Sequence, residues 1–386
     1  MRFLFTCVPG FGHFHPMVPL ARALEAAEHE VAFATAERFC RRVVEPAGFT
    51  AFAAGMSPPD AYEQTQELAG ATEDDAWTFG AMMFARVAGP AKVGDLVQVL
   101  GSWPADAVIH DMTDFAGPVA AAVGGLPWAG HTFGSLPPQQ LWDAAATLIE
   151  PTWQAWGVEP DRGGGMFRSL YLDICPASLQ APLAGRAVGR PLRPVAIDEP
   201  GARLPAWADE LGPGPTIYVT LGTVVNHSPG VFETVLEGLA ALPGHIVVTL
   251  GPDRDPAELG PRPANVHVEA YLPHSVLLPR CDLVVCHGGS GTTLAALAAG
   301  LPVLVLPQDA NQFWNAERIA SLGAGTQLRP SELTAEAVQA AASGLLDDPS
   351  HRRHAQALAA EIAAMPGPDD VVATVEDLVH RHRRHR

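Results

Sequence analysis

The sequence of 386 residues predicts an α/β protein of two doubly wound domains, each a parallel sheet covered by helices on both faces. Three observations predict it. Short, uniformly apolar runs alternate with longer helical patterns along the chain, as strand-helix-strand units require. A Pro/Gly-rich passage, from about residue 185 to 215, interrupts that alternation and includes Arg190-Pro191, Arg193-Pro194, Glu199-Pro200-Gly201 and Gly212-Pro213-Gly214-Pro215. The length also exceeds what one hydrophobic core ordinarily fills.

The elements follow in order. Residues 3–8 read as a strand, 9–16 as a loop and 17–27 as a helix. A strand at 31–35 and a helix at 37–47 come next, then two or three helices rich in Ala, Met and Phe between 55 and 100. Residues 107–111 form a short strand that ends in His110-Asp111, followed by a helix at 117–123 and a strand at 126–131. After the Pro/Gly passage, strands are expected at 217–221, 245–250, 266–269, 283–286 and 303–306. Helices at about 231–241, 292–299, 313–321, 334–346 and 351–364 cover them, and a last helix spans 371–382 after Pro366-Gly367-Pro368. The expected domains are residues 1–195 and 215–368, joined by a linker at 196–214. Residues 369–386 close the chain as a helix and a basic tail. Two such domains facing each other leave a cleft, a preferred place for ligands.

Composition narrows the function classes. Hydrophobic residues make up 48% and charged residues 17%, as in a globular protein with ample burial. With 24 basic against 42 acidic residues the formal net charge is -18, so nothing electrostatic draws the chain to nucleic acid or to an anionic membrane. The five cysteines (Cys7, Cys40, Cys175, Cys281, Cys286) are odd in number and contain no C-x-x-C pair; they read as buried thiols of a reducing cytoplasm. No cleavage-site pattern follows the apolar start, and the apolar stretch near 295–306 is broken by Gly300 and Pro302, too short for a membrane span. A cytoplasmic location is therefore expected. The basic end His380-Arg381-His382-Arg383-Arg384-His385-Arg386 reads as a solvated terminus.

The most informative stretch is His287-Gly288-Gly289-Ser290-Gly291-Thr292-Thr293-Leu294, between an apolar strand and an alanine-rich helix that ends at Gly300. A strand that stops at glycines and re-enters a helix offers backbone N–H groups at the positive helix end, which suits phosphate, and the His287 imidazole adds a donor. The next strand runs into Gln308-Asp309-Ala310-Asn311-Gln312, a polar cluster at the carboxyl edge where open α/β sheets bind ligands.

In the first domain, Gly10-Phe11-Gly12-His13-Phe14-His15 matches the dinucleotide fingerprint only at its first two glycines, because His15 replaces the third. The loop instead places His13 at the carboxyl end of the first strand, where it is either a base or a cap of the following helix; His15, before Pro16, reads as holding the turn. Asp111 ends another strand of the same sheet, so a carboxylate–imidazole pair is feasible, with Asp114 as a competing partner. Asp253-Arg254-Asp255 resembles a metal-binding D-x-D but reads as a surface turn. No cluster has metal-ligand spacing, so no metal is expected.

These motifs resemble those of the family-1 glycosyltransferases, inverting enzymes with two facing Rossmann-like domains, the GT-B fold. His287 to Thr292 and Pro307-Gln308-Asp309-Ala310-Asn311-Gln312-Phe313-Trp314-Asn315-Ala316 are similar to that family's donor signature. Gly12-His13-Phe14-His15-Pro16 resembles its catalytic loop, Asp111 its partner aspartate, and Leu221-Gly222-Thr223 its loop over the diphosphate. Within the family the chain looks most like actinobacterial enzymes that glycosylate polyketide and other antibiotic aglycones.

The resemblance implies that His13, oriented by Asp111, takes the proton of an acceptor hydroxyl. The leaving diphosphate is then held at His287, Gly289, Ser290, Gly291, Thr292 and Thr223. Gly12, Asn311 and Gln312 complete the implied donor site, and Tyr271-Leu272-Pro273-His274 implies a base site with Tyr271 stacking. It also implies a last helix that crosses back to the first domain. Ala295 replaces the family's ribose-binding glutamate, Asn311 its aspartate, and Ser290 its large aromatic, which together imply a dTDP-linked, hydroxyl-poor sugar. Trp77, Phe79, Met82, Met83, Phe84, Trp142, Trp153 and Trp156 are of kinds that mostly fill ordinary core, but their density suits a large apolar acceptor, polyketide-like or aromatic. The expected partners are thus a nucleotide-sugar donor, that aglycone and a second copy of the chain, with no nucleic acid, no stable membrane insertion and no cofactor beyond the substrate nucleotide sugar. Rival readings are a GT-B relative such as a nucleotide-sugar 2-epimerase, or a non-catalytic partner that binds nucleotide sugar.

Overall fold

The structure is a computed structural model that describes residues 1–69, 76–180, 189–198, 201–222, 230–251, 254–260, 262–309 and 311–384. The chain divides into two compact units. One comprises Met1–Cys175, Gln180–Arg193 and Met365–Arg386, the other Pro176–Leu179 and Pro194–Ala364.

The sheet of the first unit contains β1 (Arg2–Thr6), β2 (Glu30–Thr35), β3 (Thr50–Ala53), β4 (Ala107–Asp111), β5 (Trp128–His131), β6 (Leu170–Asp173) and β7 (Arg190–Pro191), in the order β3-β2-β1-β4-β5-β6-β7. Every pairing is parallel. Phe3, Leu4 and Phe5 of β1 are wholly buried, as expected of a strand covered on both faces. One face packs on Trp142, Trp153, Leu96 and Val119. Rings of Phe14, Phe33 and Phe49 meet edge-on or tilted on the other. The last helix, Pro368–Arg384, belongs to this unit and packs on the helix Val18–Ala26. Its Val371, Val375, Leu378 and Val379 recur at helical spacing and are buried, and each such side chain contributes on the order of 2 kcal/mol of burial. His29 Nε2 meets Glu376 Oε1 at 2.9 Å to fix the register.

The second unit repeats the plan with β8 (Thr216–Thr220), β9 (His245–Thr249), β10 (Val266–Glu269), β11 (Leu283–Cys286), β12 (Val303–Val305) and β13 (Gly325–Gln327), ordered β10-β9-β8-β11-β12-β13 and all parallel. In both sheets the chain order reverses beside the first strand, between β1 and β4 and between β8 and β11. At such switch points the connecting loops diverge and leave a crevice at the carboxyl edge. The fold class read from the sequence is the one observed.

Four strands, β3, β6, β7 and β13, were not expected. β3, β7 and β13 lie at sheet edges and β6 beside β7, and all are short; Gly325–Gln327 in particular carries too little apolar signal to stand out from a loop. The predicted loop at 9–16 is largely helical: Phe11–Phe14 is α-helical, His15–Met17 tightens to a 3₁₀ turn at Pro16, and Val18–Ala26 continues. Proline lacks the N–H that an interior α-helical bond needs, so the run narrows there instead of ending. The helix expected at 37–47 begins with the turn Glu37–Phe39 and widens into a π-helical stretch at Cys40–Val44. All five cysteines are free and buried. Among the described residues no helix is long and apolar enough to cross a membrane.

Candidate active site

In the first unit, β1 and β4 deliver His13 and Asp111 to the switch point. Gly10 precedes the first helical turn in an extended conformation, and His13 lies one turn in. His13 Nδ1 stands 3.0 Å from Asp111 Oδ2. A cap role for His13 at a helix starting near Met17 is excluded by the earlier helix start. Asp111 is 1% exposed and its oxygens are fully engaged: Val8 N–H donates to Oδ2 at 3.1 Å, and Thr113 N–H to Oδ1 at 3.0 Å. Burial pushes the Asp111 carboxyl up, but His13 beside it and the two amides outweigh burial, so it stays below the usual carboxylate range. An ionised carboxylate only accepts, so a proton on the ring sits at Nδ1, and in the neutral imidazole Nε2 then holds the lone pair. That is the tautomer a general base requires.

Thr113, which the sequence reading passed over, puts its Oγ1 3.2 Å from His13 Nδ1 and 3.1 Å from Asp111 Oδ1. An Asp-x-Thr turn at a strand end is the signal that could have found it. The ring of Phe133 packs edge-on against His13 at 4.6 Å, and Phe84 lies at 6.1 Å. Asp114 does not compete for His13: it accepts from Thr6 Oγ1 at 2.6 Å and from the buried Lys92 Nζ at 2.7 Å. Lys92 also donates to the carbonyls of Cys7 and Ala34, so each charge is paired and solvated by protein. His15 is exposed and rests its ring on Phe11. A Cβ added to the exposed Gly12 meets nothing within 4 Å.

A cavity of about 50 Å³ adjoins this pair, lined among others by Met56, Met83, Phe84, Thr113 and Phe115. Of the large residues expected near an acceptor, Met83 and Phe84 line it, from a π-helical stretch at Met82–Ala88. Trp142 and Trp153 do not; they are buried in the core, 2% and 0% exposed. Phe79 packs on Tyr62, Trp156 is partly exposed, and the side chain of Trp77 lies outside the described residues.

In the second unit, β11 ends at the glycine turn and the helix Ser290–Ala298 begins. Gly288 has φ +89°, and an added Cβ would sit 2.7 Å from Val305 Cγ1, so only glycine fits. The His287 ring is wedged between Gly222, after β8, and Gly289: a Cβ on either would come within 2.5 Å and 2.3 Å of ring atoms. Burial pushes His287 down to about 4, so the ring is neutral and can offer one N–H but no charge. No side chain caps this helix, and its first internal bond runs from Thr293 N–H to Gly289 O at 3.0 Å. The amides of Ser290, Gly291 and Thr292 precede that bond and point out of the positive helix end. A Cβ on the exposed Gly291 meets nothing.

Asn311 Nδ2 donates to Ser290 Oγ at 3.0 Å, so the Asn311 carbonyl faces away from the helix end. Gln312 Oε1 accepts the N–H groups of Gln308 at 2.8 Å and Asp309 at 3.2 Å, which shapes the turn after β12. Tyr271 is 59% exposed, with its hydroxyl on Asp198 Oδ1 at 3.1 Å, and Asp198 Oδ2 accepts Ser275 N–H at 2.7 Å. Leu272 is buried and can offer only its main chain, while His274 Nε2 meets Tyr218 Oη at 3.2 Å. Thr223 and Asp253 lie outside the described residues. Asp255 caps a short 3₁₀ turn, Pro256–Leu259, and Arg254 pairs with Glu258. Among the described residues no group of three His, Cys, Asp or Glu is placed to hold a metal.

Residues 233–378 match the family model of the erythromycin biosynthesis protein CIII-like C-terminal domain. The chain is 34% identical to the L-demethylnoviosyl transferase of Streptomyces niveus, over 95% of this chain and 96% of that protein. It is 30% identical to the tylactone mycaminosyltransferase of Streptomyces fradiae, over 100% and 94%. The spinosyn rhamnosyltransferase SpnG, solved also in complex with thymidine diphosphate, superposes with a TM-score of 0.84 at 28% identity over 97% of this chain and 100% of that one. SnogD, a glycosyltransferase from Streptomyces nogalater, does so with a TM-score of 0.77 at 33% identity over 98% and 99%. Two sheets of one switched order, an uncapped helix start at the glycine turn after β11 and sequence likeness over nearly the whole length agree: the chain belongs to the actinobacterial antibiotic glycosyltransferases of GT-B fold.

Proposed function

We propose that the protein transfers a deoxy or amino-deoxy hexose from a dTDP-activated donor to a hydroxyl, or another nucleophile, of an apolar polyketide-like or aromatic acceptor. The first unit binds the acceptor and supplies the base; the second binds the donor. The observation that carries this is the His13–Asp111 pair, 3.0 Å apart, with the carboxylate buried and ionised. His13 Nε2 takes the acceptor proton as the acceptor oxygen bonds the anomeric carbon and the bond to the diphosphate breaks, inverting that centre. The departing charge is held by the amides of Ser290, Gly291 and Thr292 and the helix end behind them. Tyr271 presents an exposed ring to the base, and Ala295, a methyl one turn into the helix, offers no acceptor to a ribose 2′-hydroxyl. The aglycone's apolar edge enters the cavity beside Thr113 and Phe84. Relatives named for mycaminosyl and demethylnoviosyl transfer support a sugar of this kind.

A panel of dTDP- and UDP-sugars, read by melting shifts and by turnover, tests the reading. A dTDP-deoxysugar is expected to raise the melting temperature and to be consumed, and His13→Ala to keep the shift while losing turnover. Turnover of UDP-glucose at least as fast as any dTDP-deoxysugar would refute the donor assignment. Full turnover by His13→Ala would refute the base.

A further inference from the structure

Asn315, one helical turn beyond Asn311, is 2% exposed yet carries a side-chain amide. Burying an amide costs free energy unless its hydrogen bonds are met, and here they are met at the glycine turn. Its Nδ2 donates to the carbonyl of Gly288 at 2.9 Å and to Ser290 Oγ at 3.2 Å. The Gly288 carbonyl can only accept, which fixes the NH₂ end of Asn315 toward the turn. The second lone pair of Ser290 Oγ takes the N–H of Asn311 at 3.0 Å.

A hydroxyl has two lone pairs and one hydrogen. With both lone pairs occupied by amide donors, the Ser290 hydrogen has to point elsewhere, and Ser290 is the first residue of an uncapped helix. We propose that Asn315 is a positioning residue for the donor site: it clamps Gly288 to Ser290 and, with Asn311, commits the Ser290 hydroxyl to donate to the diphosphate of the nucleotide. The inference rests on the reading that the helix end binds that diphosphate. A hydroxyl free to rotate would lose part of its time to other partners; one with its acceptor sites filled is pre-aimed, so its bond to an anion costs little further ordering. Because the anion is charged, the bond belongs to the stronger class, and its loss is expected to weaken binding about tenfold to a hundredfold.

The test uses thymidine diphosphate and isothermal titration calorimetry on the full chain. Ser290→Ala and Asn315→Ala are each expected to weaken thymidine diphosphate by at least tenfold, and the double variant to be less than about threefold weaker than Ser290→Ala alone. That non-additivity is the signature of acting through Ser290; a merely structural asparagine would impose its full penalty in both backgrounds. Asn315→Asp keeps the side-chain shape but replaces the donor with an acceptor, and serves if Asn315→Ala does not fold; the same loss is expected of it. Wild-type affinity in Ser290→Ala, or an undiminished Asn315 penalty in the Ser290→Ala background, overturns the proposal. A wild-type chain that binds no thymidine diphosphate at millimolar concentration overturns instead the donor reading beneath it.

Discussion

Replacing Asp111 with asparagine changes one oxygen for an NH₂ and leaves the shape intact, so the consequences follow from the hydrogen bonds. The Oδ2 position faces two N–H donors, Val8 at 3.1 Å and His13 Nδ1 at 3.0 Å. The Oδ1 position faces Thr113 N–H at 3.0 Å and the Thr113 hydroxyl, which can turn to accept. Wherever the new NH₂ goes, one backbone N–H loses its acceptor in a site 1% exposed, at a cost of about 1–3 kcal/mol. The better placement keeps oxygen toward His13 and abandons Thr113 N–H; the worse one turns NH₂ to Nδ1 and drives the imidazole into the tautomer whose Nε2 is protonated. Even the better placement removes the negative charge that stabilises the imidazolium formed when the proton is taken. Both routes weaken the base, and general-base assistance is worth about 10²–10⁴ in rate. The expected result is a fall in kcat of at least a hundredfold, with thymidine diphosphate affinity within twofold of wild type. It is measured by release of thymidine diphosphate under saturating donor and acceptor. Adding Asp111→Asn to His13→Ala is expected to cost nothing further, since the two act as a unit. More than a tenth of wild-type turnover in Asp111→Asn would refute the argument that the carboxylate sets the state of the ring.

Two other outcomes follow from burial. Desolvation pushes His287 and His131 from 6.5 down to about 4, so between those values the unfolded chain binds more protons than the folded one. Their contribution is fully present above pH 6.5 and is lost as pH falls toward 4, roughly 3 kcal/mol for each ring at the limit; denaturant unfolding at a series of pH values should show it, and a flat profile from 6.5 to 4.5 would contradict it. The glycines of the donor turn should separate by role. Gly288→Ala, with φ +89° and Val305 2.7 Å away, is expected to destabilise by about 2–4 kcal/mol, whereas Gly291→Ala, open and exposed, should leave the melting temperature unchanged or higher yet weaken thymidine diphosphate. Equal stability of the two variants would show that the Val305 contact is not tight.

Much of this molecule was legible in one dimension. Central strands such as Phe3 to Phe5 and Leu283–Cys286 are buried on both faces and therefore uniformly apolar, a signal that needs no neighbours to interpret. The glycine turn was legible because its requirement is local: a left-handed φ at Gly288 and a helix start at Ser290. Outer strands were not, because a strand such as Gly325–Gln327 is specified by hydrogen bonds from β12 and carries no periodicity of its own. Which of the large apolar residues fill core and which line a cavity was not legible either. An aromatic residue reads alike whether it lines a cavity, as Phe84 does, or fills a core, as Trp142 and Trp153 do. Only packing distinguishes them.

The sequence by itself determined the fold class, the strand ends at which chemistry could sit, and the residue types that could perform it, since strand burial, helix starts and glycine turns are properties of contiguous residues. Tertiary structure decided which of these groups meet. It chose Asp111 over Asp114 for His13, because Lys92 and Thr6 occupy the latter. It fixed the imidazole tautomer through a carboxylate 98 positions away, added Thr113 to that pair, and brought Asn315 back onto Gly288 and Ser290. Such pairings depend on which loops a parallel sheet gathers at its switch point, and sheet order is set by contacts among strands distant in the chain, which no local pattern encodes.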